Sequence, residues 1–214
     1  MNIIYLILFT LLIISTSQAQ LIRGYGLKAG VTSSSQDWDY TIDWLSDFDF
    51  TPETRWGINV GVFSEFFNIP YFSLVTELNY IQKGMKEDVP VTTVTNPDGT
   101  GEYITWDTRV DYLNLSALGK LRIELSLFIP YILLGPKIDY EINQENSLGM
   151  TNVVEENFNE VMYGFKIGIG SEVKLSNINL LAEILYDYNF NDLYENENLT
   201  VTSDSFDFRI GIMF

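Results

Sequence analysis

Along most of the chain, apolar and polar side chains alternate one for one, the period of a strand whose two faces meet different surroundings. In 24–32 (GYGLKAGVT), Tyr25, Leu27, Ala29 and Val31 alternate with Gly24, Gly26, Lys28 and Gly30. In 55–63, Trp56, Ile58, Val60 and Val62 oppose Gly57, Asn59 and Gly61. The pattern recurs in 73–83, 111–120, 131–142, 161–174, 179–189 and the closing FDFRIGIMF of 206–214. There Phe206, Phe208, Ile210, Ile212 and Phe214 form one face, and Asp207, Arg209, Gly211 and Met213 the other. These segments predict eight strands of about ten residues or slightly more, the length a tilted strand needs to cross a bilayer. A helical reading fails, because apolar residues rarely recur at three and four and glycine is scattered through the runs.

The connections alternate in length. NIPY, ELSLFIP and LSNI are short, whereas 33–54, 84–106, 143–158 and 190–203 are long. Short turns at one end and long loops at the other predict an all-β, eight-stranded antiparallel up-and-down transmembrane β-barrel, with periplasmic turns and extracellular loops. An even strand count puts both termini at the short-turn end.

Alternation alone fits two barrels, one with lipid outside and one soluble, secreted and binding a small apolar ligand inside. Three features favour lipid. The polar face is crowded with glycine (24, 26, 30, 57, 61, 135, 164, 168, 170 and 211), which suits a narrow lumen better than a solvated sheet surface. That face also carries both signs of charge: Lys28, Lys83, Lys120, Lys137, Lys166 and Arg209 against Glu65, Glu77, Asp139, Glu141, Glu172, Glu183, Asp187 and Asp207. Such a set reads as a filled, salt-bridged lumen. Finally, the four long connections hold sixteen acids against one base, Lys86, which places most of the net charge of −17 at one rim.

Residues 3–14 (IIYLILFTLLII) are too short for a spanning helix but suit the apolar core of a signal peptide. Ser17 and Ala19 stand where a signal peptidase reads, so 1–19 is expected to be cleaved and 20–214 to form the barrel. The segment carries no Lys or Arg ahead of its apolar run, which leaves a short uncleaved anchor as the rival reading. The acidic balance argues against nucleic acid, whose binders carry basic patches.

GLKAG (26–30), ELNYIQKG (77–84), DYLNLSALGK (111–120), PYILLGPKIDY (130–140), GFKIGIG (164–170) and LLAEILYDYNFNDL (180–193) resemble the PorT-like outer-membrane β-barrel proteins of Bacteroidota. The resemblance covers nearly the whole mature chain. It implies an outer-membrane location among lipid and lipopolysaccharide, with assembly by the barrel-insertion machinery. The family's namesake is associated with a protein-secretion system, which brings in an envelope or secretion partner as a further expectation. Ser116 departs from the pattern, standing where relatives often carry proline.

Chemistry is sparse. Cysteine and histidine are both absent, which removes thiolate sites and the usual bases of barrel hydrolases. The remaining enzymatic arrangement is a carboxylate pair, Glu183 with Asp187, on one face of a strand. Neutralisation by lumen lysines accounts for it more simply, so no enzyme and no cofactor are expected. The most distinctive loop, SSSQDWDYTIDWLSDFDF, interleaves acids with aromatics. Asp37, Trp38, Asp39, Tyr40 and Trp44 make it a candidate partner-binding loop, since aromatics favour contact surfaces. The competing reading is a strand extension whose rings pack on neighbouring loops. DWDY lacks the glycine and closing glutamate of a calcium loop, so no dedicated metal site is expected; loose divalent-cation binding by the acidic rim is the weaker form.

Overall fold

The computed structural model describes residues 21–41, 52–96, 100–147 and 158–214. The export segment and Trp44 lie outside the described residues. The strands are β1 (Ile22–Tyr40), β2 (Glu53–Ile69), β3 (Phe72–Pro90), β4 (Tyr103–Arg122), β5 (Phe128–Asn146), β6 (Val161–Lys174), β7 (Asn179–Asn189), β8 (Tyr194–Glu195) and β9 (Leu199–Met213). Each long strand pairs antiparallel with the next, and β9 returns to β1 to close an eight-stranded barrel. β8 stands outside that ring as a two-residue addition to β9.

Which face looks outward settles the choice between the two barrels. Ile210 is 71% exposed and Trp56 59%, whereas Lys166, Glu65 and Asp207 are wholly buried. Leu, Ile, Phe and Tyr thus line the outer wall, and the charged residues fill the inside. This is the arrangement lipid demands and water forbids. The closing strand follows it: Asp207 and Arg209 point inward, while Phe208 and Ile210 point out. Phe214 is pinned at its end by reciprocal backbone hydrogen bonds with Tyr25, and their rings lie 6.2 Å apart. At the opposite border, Phe165, Tyr186, Tyr188, Phe190 and Phe206 form a connected set of rings, with centroids 5.0–6.5 Å apart. Two aromatic borders around an apolar band are expected of a bilayer-spanning barrel.

Five of the strands are nearly twice the predicted length, with β1 running 19 residues and β4 20. Their polar upper halves continue the same hydrogen-bonded ladders beyond the apolar band, so the long connections shrink to 41–52, 91–102, 147–160 and 190–198. Apolar alternation marks only the lipid-facing part of a strand, which is why it missed these extensions.

Glycine makes the interior fit. A Cβ at Gly170 would fall 2.5 Å from the ring of Tyr131, which occupies the lumen beside it. Gly170→Val is therefore expected to destabilise the barrel by about 1–3 kcal/mol through overpacking. The check is the fraction of protein that keeps the faster mobility of the folded form in unheated gels.

Candidate functional site

The inward side chains assemble into three stacked ion-pair layers. At the turn end, Arg23 reaches Glu65 at 2.6 Å and Glu172 at 2.8 Å, and Lys120 holds the same two acids at 3.1 Å each. Arg122 adds a 3.0 Å contact to Glu65, and its Nε lies 3.6 Å from Glu124 at the barrel mouth. In the middle, Lys28 and Arg209 each pair with both Glu77 and Glu183, at 2.6–2.8 Å. Above them, Lys83 and Lys137 share Asp139 and Asp187, while Lys166 pairs with Asp187 and Asp207. Thr32 donates to Asp207 at 2.6 Å, and Asn114 to Asp139.

Each layer is close to neutral on its own terms, two charges against two in the middle and three against three above. Aromatic rings join the layers. Tyr131 donates to Glu183 at 2.8 Å while Lys120 sits 4.1 Å over its ring, so one side chain serves both lower layers. Every lumen charge expected from the alternation is found here except Glu141. That residue lies one step higher, half-buried where the β4–β5 register slips at a bulge. Arg23 and Arg122 join the set although the alternation did not point to them. Both lie at strand ends, where flanking residues give no periodic signal. Ser116 faces the middle layer, 3.4 Å from Glu77.

The carboxylate pair Glu183 and Asp187 is split between two layers. Glu183 is taken up by Lys28, Arg209 and Tyr131, and Asp187 by Lys83, Lys137 and Lys166.

Above the charged layers the lumen turns apolar. Val110, Tyr112, Met162, Leu193 and Val201 form a buried cluster, against which Trp38, Phe158, Tyr194 and Leu199 pack. Trp38 meets Trp106 edge to face across the barrel at 5.8 Å. In the candidate loop, alternation therefore separates the residues. Asp37 and Asp39 are exposed, while Trp38 and Tyr40 are half-buried, and all four belong to β1, as in the strand-extension reading. Burial pushes the Tyr40 phenol up. A concavity of about 1170 Å³ is bordered by six strands, with Ala29, Ile184 and Ile210 of the outer face and Tyr131, Glu183 and Arg209 of the lumen layers among its lining.

If ion pairing orders the lumen, Arg209→Met leaves Glu77 and Glu183 facing each other with Lys28 alone between them. The expected loss is about 3–5 kcal/mol, read as a lower urea midpoint for the barrel in lipid vesicles. Lys174→Met, at the exposed base pair with Glu124, is expected to cost less than about 1 kcal/mol. Equal effects would show that the lumen pairs contribute nothing special.

In fold, the chain is similar to the outer membrane protein OprG of Pseudomonas aeruginosa, with a TM-score of 0.52, 11% identity, and coverage of 89% of this chain and 95% of that one. Neisserial surface protein A gives a TM-score of 0.46 at 11% identity, covering 89% and 97% of the two chains. No curated protein matches the chain in sequence. A family model described as the outer membrane protein beta-barrel domain matches residues 18–195, most of the chain. With its lipid-facing wall and charged interior, the chain belongs to the outer membrane protein β-barrel domain family.

Proposed function

We propose that this is a PorT-like outer-membrane protein, exported through a signal peptide cleaved after Ala19. Its barrel is a rigid, closed support, and it acts by presenting its acidic extracellular rim to a partner protein or ligand. The observation that carries this reading is the use made of the interior: three ion-pair layers and an apolar plug fill the lumen. A filled eight-stranded barrel conducts no solute and offers no reaction chamber, so activity moves to the outside. There the outer faces of β1 and β9 present Asp37, Asp39 and Asp204. The segment that follows β1 in sequence carries Trp44 with further acids. Partner choice through such a rim is electrostatic, favouring a basic surface and weakening with salt. A role as one component of an outer-membrane secretion complex is a specific form of the same reading, supported by the resemblance to the PorT-like family.

The test is the mass of the protein extracted from its native outer membrane in mild detergent. A stoichiometric co-purifying chain, lost after Asp37→Asn with Asp39→Asn, is the expected result. A lone barrel of its own mass, before and after cross-linking of whole cells, would overturn the partner. A stepwise conductance above background in planar bilayers would overturn the closed lumen.

A further inference from the structure

The barrel's twelve Lys and Arg residues are distributed unevenly. Eight lie in the lumen layers, and Lys174 sits at the turn end. The other three, Arg55, Lys86 and Arg109, occupy neighbouring strands β2, β3 and β4 in their upper, polar halves. They gather on one patch of outer wall. Arg55 Nε contacts Asp107 at 2.8 Å, and Lys86 Nζ approaches the same acid at 3.5 Å. Arg109 bonds Asp111 at 3.0 Å and Glu145 at 2.6 Å, and Asn143 completes the group by donating to Asp111 at 3.2 Å. Against the lowering effect of partial burial, Asp111 and Glu145 hold the Arg109 guanidinium above its ordinary value.

The backbone is shaped for this patch. Arg55 on β2 reaches Asp107 on β4 by passing over β3 at Gly84, whose φ of +148° suits glycine. A Cβ there would stand 3.0 Å from Arg55 Cδ and 1.9 Å from the carbonyl oxygen of Thr108. Beside the crossing is a concavity of about 370 Å³ lined by Arg55, Asp107, Arg109, Glu145, Asn146 and Ser147. Its donors are not all spent: Arg55 Nη2 and Arg109 Nη1 make no hydrogen bond among the described residues. The side chain of Lys86 is 44% exposed. Immediately below, toward the apolar band, stand Trp56, Tyr80 and Leu113.

We propose that this patch holds the phosphorylated sugar headgroup of an outer-leaflet glycolipid, an inference that rests on the outer-membrane reading above. The height is that of a headgroup, above the aromatic border and outside the barrel. Guanidinium and ammonium donors match phosphate oxygens, and Asp107 and Glu145 match sugar hydroxyls, which a bare phosphate would not use. Within the patch three bases match Asp107, Asp111 and Glu145 in number, whereas elsewhere the outer wall at this end displays Asp37, Asp39 and Asp204, which repel a phosphate. A glycolipid ring around the barrel would therefore be attached at one side.

The experiment uses the full mature chain, folded in detergent micelles. It is titrated with a bisphosphorylated disaccharide glycolipid, its dephosphorylated form, phosphatidylglycerol and inorganic phosphate. The phosphorylated glycolipid is expected to bind best, and Lys86→Gln with Arg109→Gln to weaken it about tenfold, the loss of one charge-assisted contact or more. Lys174→Gln leaves binding unchanged. Equal binding by the double variant and the unaltered protein overturns the site. Phosphatidylglycerol binding as tightly as the glycolipid overturns the sugar component, and inorganic phosphate competing at equal affinity overturns the lipid. Heat-shifted gel mobility confirms that each variant is folded. Should the double variant fail to fold, Lys86→Gln alone, at an exposed 3.5 Å pair, carries the same expectation in smaller measure. A protein soluble without detergent sinks the membrane reading itself, whereas a folded barrel indifferent to these substitutions sinks only this inference.

Discussion

A charge enclosed in an eight-stranded barrel has no bulk water to solvate it, and everything else in this structure is arranged around that constraint. Fifteen ionised side chains point into a space barely wide enough for side chains. They persist because each touches a counter-charge, usually two, and because Ser, Thr, Asn and Tyr take up remaining valences. Such networks add little net stability over a well-packed apolar core. What they fix here is register. Side chains alternate in and out, so a one-residue slip of β6 would send Lys166 into lipid and leave Asp207 without its cation. The penalty for a wrong pairing is large even where the reward for the right one is small.

In the function proposed above, the same constraint moves activity outward. The charged groups of the lumen are committed to one another. The apolar plug of Trp38, Trp106 and the cluster around Tyr112 seals it from the extracellular side. The barrel's polar upper halves therefore act as a raised collar, acidic on one flank and mixed in charge on the other. This asymmetry sets it apart from a uniformly anionic surface, because partners and lipids approaching from different sides meet different chemistry.

Much of this was legible in the sequence, and the physics of each reading explains its reach. Strict alternation such as Phe206, Phe208 and Ile210 against Asp207 and Arg209 needs only two contrasting environments, so it revealed the eight crossings and most of the lumen charges. It lost sight of the strands where both faces become polar, as in β1 beyond Thr32 and β4 before Val110. Hence Trp38 and Asp37 read as neighbours in one loop, although the strand turns one inward and the other outward. The mixed-charge patch was invisible for a different reason. Arg55, Lys86 and Arg109 are far apart in the chain, and each sits among acids. Only the pairing of β2, β3 and β4 brings them together, and only the missing side chain of Gly84 lets one cross to another.

The sequence separations within the ion pairs bear on how the molecule comes into being. Arg209 is 132 residues from Glu77, and Arg23 is 149 from Glu172. The contacts of the middle layer join the first, third, seventh and last long strands, so it cannot exist in any partly built sheet. Until β9 docks between β7 and β1, Glu77 and Glu183 lack Arg209, and Lys166 lacks Asp207. An open sheet would thus carry unmatched charge on the face destined to be innermost, and lipid would reject it. Closure and neutralisation are one event, which makes the last strand the latch and gives a half-assembled barrel no resting place in the membrane.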